Sequence, residues 1–96
     1  MTQVNFSSYK MEEIINKHFP SATATQVRSA AAVVAKVGKV YTTDTGVIAI
    51  VAILNNNTFA LLLKPEEFAR GNLAAVTFYR NTDGSVLRRI ARGQWA

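Results

Sequence analysis

Four arginines, Arg80, Arg88, Arg89 and Arg92, crowd the last stretch of the chain together with Tyr79 and Trp95. Guanidinium groups present rigid forks that suit phosphates and carboxylates, and aromatic faces stack on bases for about 1–3 kcal/mol each. Together they are the parts of a nucleic-acid surface, and Lys36 and Lys39 are placed to extend it. Arginine and tryptophan are also the residue types that dominate protein interfaces, so an acidic protein surface is the alternative partner. Two further readings compete for the same residues. Arginines on an exposed hairpin keep an apolar small domain soluble and blunt an edge strand, and a tryptophan so placed can pack back on the core.

Catalytic chemistry finds few parts. His18 is the only histidine and there are no cysteines, so Ser-His-Asp and Cys-His arrangements have nothing to converge on, and cysteine-ligated metals are excluded. The acid pairs Glu12-Glu13 and Glu66-Glu67 sit where helix starts favour anions, and neighbouring residues of a helix point about 100° apart rather than at one substrate atom. The five glycines never form a dinucleotide-binding or P-loop spacing. The reading is a non-enzymatic binding module that needs no cofactor and no metal.

Charge supports this placement. The chain carries a net charge of +5, and from Arg70 onward five arginines stand against the single acid Asp83. Only 18% of residues are charged and 49% are hydrophobic, which leaves apolar surface to cover and points to a homo-oligomer. No apolar run approaches the ~20 residues of a membrane helix, and the opening residues lack a secretory pattern, so a cytoplasmic protein is expected.

The elements that must position these residues follow from the pattern. Ninety-six residues make one domain, 1–96. Val47 to Leu54 is an unbroken apolar run that reads as a strand covered on both faces. Tyr9, Ile14, Ile15 and Phe19 mark a first helix over Ser8 to Phe19, stopped by Pro20. A second opens at the capping-box pair Thr23 and Gln26, with Val27, Ala30, Ala31, Val34 and Val37 inward and Gly38 placed to end it. Lys39 to Thr43 is a short strand, and Asn55-Asn56-Asn57 should return the central strand through Thr58 to Leu63. Pro65, two glutamates and Gly71 frame a short helical turn.

The last unit is ambiguous. Asp83-Gly84 is a strong hairpin signal after the alternating AVTFYR. In VLRRIAR, helical spacing would place Val86, Leu87, Ile90 and Ala91 opposite Arg88, Arg89 and Arg92, whereas a strand would scatter the arginines over both faces. The preceding turn favours the strand. The expected class is therefore α+β: two N-terminal helices packed on one face of a four- or five-stranded, mainly antiparallel sheet, with a helical turn near residues 65–70. The sequence shows no zinc-finger ligands, no defensible helix-turn-helix spacing and no aromatic signature of an RNA-recognition sheet.

Overall fold

The computed structural model describes residues 3–96, so the part of the single-domain expectation that falls on Met1 and Thr2 lies outside the described residues. The α+β class holds. The elements are β1 (Val4–Asn5), α1 (Ser8–His18), α2 (Ala24–Val37), β2 (Lys39–Thr42), β3 (Ile48–Leu54), β4 (Asn57–Leu63), α3 (Pro65–Ala69), β5 (Leu73–Asn81) and α4 (Ser85–Ala91). The sheet runs β1-β5-β4-β3-β2; β2 to β5 form an antiparallel meander, and β1 adds a two-residue parallel pairing beside Leu73 and Ala74. β1 has no signal of its own in the sequence because two residues carry no periodicity.

Each helix starts where its caps dictate. Ser7 accepts from the Lys10 N–H at 3.1 Å and opens α1, which leaves Glu12 and Glu13 beyond the first turn where the sequence placed them. The buried stripe of α1 is Met11 and Ile14 with Ile15 beside them, and Tyr9 is 73% exposed. A helix that begins at Ser8 puts positions 11, 14, 15 and 18 on one face and turns Tyr9 away. In α2 the capping box forms in full: Thr23 N–H donates to Gln26 Oε1 at 2.9 Å, and Gln26 N–H donates to Thr23 Oγ1 at 3.2 Å.

Gly38 does end α2, for a different reason than left-handed backbone. Its φ is −77°, and a Cβ there would stand 2.6 Å from Ile50 Cγ2 and from the Val34 carbonyl oxygen. The glycine is required by the close approach of the helix end to β3. The asparagine turn does use left-handed backbone, with φ of 51° at Asn55 and 66° at Asn56, so β3 and β4 form a tight two-residue hairpin in full register from Ile48↔Leu63 to Leu54↔Asn57.

The sheet is covered on both faces. Ile50, Ala52, Leu61, Leu63, Ala75 and Phe78 face α1 and α2, with Val27, Ala31 and Val34 above them. The other face carries Ala49, Val51 and Ala60 against Val86 and Trp95. One irregularity sets which β5 side chains go where. Leu62 pairs with Thr77 but Leu63 with Ala75, so Val76 is an extra residue, and Ala75 and Phe78 both point to the α1/α2 side.

The segment after Asp83-Gly84 corrects the expected hairpin. Residues Ser85–Ala91 are a helix, α4, and it packs on the face opposite α1 and α2. Two side chains decide this. Asp83 Oδ1 accepts from Ser85 N–H at 3.0 Å and Asn81 Oδ1 accepts from Val86 N–H at 3.2 Å, so the first amides of a helix find partners before the chain can return as a strand. Gly84, at φ 73°, makes the corner. Burial of Val86 and part of Ile90 then follows the helical period.

Candidate functional site

The six residues singled out by type and position do not converge on one surface. Arg88 and Arg89 stand exposed on α4, and Arg92 is exposed at its C-cap. The helix is the reason they share a side: with Val86 and Ile90 turned to the sheet, positions 88, 89 and 92 fall toward solvent. Arg80 is exposed on the other side of the sheet, opposite Phe59 in the β4–β5 register and lining a groove with Phe78. Tyr79 is half-buried between the two regions, packed against the α4-side cluster with its ring centroid 5.6 Å from that of His18.

Trp95 is only 3% exposed. It fills the space between the end of α4 and the alanines of β3 and β4, so it offers no open ring face for a base, and the Arg89 guanidinium carbon lies 5.8 Å from the indole centroid. The indole Nε1–H has no hydrogen-bond partner among the described residues. Trp95 is held by backbone as well, through the neighbouring pair in which Thr42 N–H donates to the Ala96 carbonyl at 2.8 Å and Ala96 N–H donates back at 3.1 Å. That pairing brings β2 beside the end of the chain.

Lys39 joins the α4 side. It pairs with Val51, a residue of that face, and its Nζ sits 5.6 Å from the Tyr41 ring centroid. Lys36, by contrast, belongs to α2 on the far side of the sheet. Among the described residues the ion pairs are Lys10–Glu13 and Arg70–Glu67, so Arg89, Arg92 and Lys39 are left without a carboxylate partner. Arg88 is partly committed to structure, because its Nη1 donates to the Asp83 carbonyl at 2.9 Å across the start of α4.

Three groups near these residues titrate away from their ordinary values. The Ser85 amide, then the Ser85 hydroxyl and the Asn81 amide, hold the Asp83 carboxyl below the usual range, so it stays ionised as an acceptor for the start of α4. Burial raises Tyr79, with Arg89 opposing and Asp83 adding, so its phenol stays protonated at neutral pH. Burial and the neighbouring Lys17 charge lower His18, against the pull of Glu13. A neutral imidazole beside Phe19 and Tyr79 is an aromatic wall rather than a cation.

No cluster of three or more His, Asp or Glu side chains suited to a metal ion occurs among the described residues. No helix among them is long and apolar enough to cross a membrane. Two things could not be read from residue types alone: that Lys39 lies on the same face as α4, and that Arg80 and His18 line a common groove. The only sequence signals for either are strand alternation, which places Lys39 two residues from Tyr41, and the cross-strand register, which no local pattern reveals. Comparison with protein-family models, with curated proteins and with solved structures finds no match for this chain.

Proposed function

We propose that the protein is a small non-enzymatic binding module that engages nucleic acid through the outer face of α4. The observation that carries this reading is the grouping of Arg89 and Arg92 with Lys39 on one face of the sheet, none of them ion-paired among the described residues. Unpaired guanidinium groups on a short rigid element are matched to a row of phosphates, whose release of counterions drives binding. A seven-residue helix with its inner positions spent on Val86 and Ile90 has no side chains left over for reading base edges, so contact is with the backbone and largely independent of sequence.

The test is an anisotropy titration of labelled single- and double-stranded oligonucleotides at several salt concentrations. Arg89→Gln/Arg92→Gln should lower the slope of log K against log salt by about 2, since each neutralised phosphate contributes about 0.9. Arg70→Gln, whose side chain is paired with Glu67, should leave the slope unchanged. An unaltered slope in the double variant, or no binding by the parent protein at low salt, refutes the reading.

A second reading, a protein-interaction or inhibitor module that acts as a homodimer and binds an acidic surface of a larger protein, is favoured by one different observation. Val33, Val37 and Val40 are 46%, 59% and 47% exposed at the junction of α2 and β2, where a second apolar surface would cover them. Sedimentation equilibrium giving a mass near twice 10.5 kDa, reduced to the monomer value by Val37→Lys, supports it. A monomer at micromolar concentration removes it.

A further inference from the structure

We infer a second binding site on the face opposite α4, a groove that takes a small planar aromatic carboxylate. The groove lies between the end of α1, the start of α2 and the open ends of β4 and β5, and its volume is about 500 Å³, within the range of ~300–1,000 Å³ of small-molecule sites. Its floor is a row of three phenyl rings. Phe19 stacks on Phe78 with centroids 5.5 Å apart at 25°, and Phe59 stacks on Phe78 at 5.9 Å and 17°. Phe78 is fully buried while Phe19 and Phe59 keep part of their surface open, so the row ends in apolar area that a flat ring would cover.

The charge of the groove selects the head group. Arg80 stands at its rim, exposed and in no ion pair among the described residues, and none of the side chains lining the groove is acidic. Gln26 also lines the groove, with its Oε1 already accepting from the Thr23 amide, which leaves its Nε2 group free to donate. A planar guanidinium fork fits a carboxylate, and the phenyl rings fit the ring to which that carboxylate is attached. An apolar core cluster alone does not require an arginine beside Phe59; a cation beside half-open aromatic rings with no carboxylate in the lining distinguishes this groove from its neighbours, which include Glu12 or Glu13.

The experiment uses the whole chain, labelled with nitrogen-15, titrated with 2-naphthoate and separately with the neutral isostere 2-naphthalenemethanol. Saturable amide shifts at Phe19, Ala22, Phe59 and Arg80 with 2-naphthoate are expected, with affinity for the neutral isostere lower by about tenfold, the loss of one charge-assisted pair. Arg80→Gln, a change at an exposed position, should weaken 2-naphthoate by the same factor while leaving the isostere unaffected. Arg92→Gln should leave both unaffected. The proposal is overturned by any of three results: no shifts in the groove at millimolar 2-naphthoate, equal affinity for the two compounds, or full 2-naphthoate affinity in Arg80→Gln.

Discussion

On its α1/α2 side the sheet offers Ile50, Leu61, Leu63 and Phe78 to two helices; on its α4 side it offers Ala49, Val51 and Ala60 to one helix of seven residues and a tryptophan. β3 and β4 supply residues to both faces, and β5 adds Phe78 to the first. Large residues fill the wide gap under two helices packed side by side. Small ones let a short helix lie close, and Trp95 then fills the remaining volume in a single residue. The difference teaches that the two faces carry different duties. The thick side holds most of the buried apolar area and the groove with Arg80 at its rim, while the thin side carries Arg89, Arg92 and Lys39 over a smaller apolar cluster.

Single substitutions should separate the faces by size of effect. Phe78→Ala on the thick side should cost about 3–5 kcal/mol in urea unfolding, because a fully buried ring leaves a cavity between two stacked neighbours. Val86→Ala on the thin side should cost about 2 kcal/mol, and equal costs at the two positions would dissolve the distinction. Asn81→Ala should cost about 1 kcal/mol by removing the acceptor for the Val86 amide, with faster hydrogen exchange confined to α4. Exchange spreading into α1 and α2 would mean that the two sides open together.

Smaller effects sharpen the comparison. Trp95→Phe should change stability by less than about 1 kcal/mol, since the lost ring volume is offset by removal of an indole N–H that has no partner among the described residues. A much larger loss would show that the donor is satisfied in solution. The last effect is one of pH. His18 is surrounded by Lys17 and Glu13 on its own helix, by Tyr79 on β5, and by Arg80 along the groove, and its basicity is lowered in the fold by burial first. The unfolded chain therefore binds this proton more readily, so its contribution to stability is complete above about pH 6.5 and declines as pH falls below that value. His18→Gln should flatten the stability profile on that limb, measured as urea midpoint against pH.

Much of this arrangement was legible before any coordinates. The capping box at Thr23 and Gln26, the asparagine hairpin after Leu54, the proline-led turn of α3 and the central strand are all set by neighbours within a few residues, where local chemistry has one strong answer. The cation list was legible too, since it depends only on residue type. Its distribution was not. Arg80 and Arg89 are close in sequence but lie on opposite faces of the sheet, because β5 ends between them and the chain turns over its edge.

What the sequence alone determined is the α+β class, the mainly antiparallel sheet and the basic character of the final segment, all of which rest on short-range pattern. Only the tertiary structure decided between the two continuations of Asp83-Gly84, the burial of Trp95 and the parting of Arg80 from α4. A turn with glycine at positive φ leads equally well into a strand or a helix. The choice falls to Asn81 and Asp83, which take the first amides of α4, and to a sheet face of alanines shallow enough to receive it.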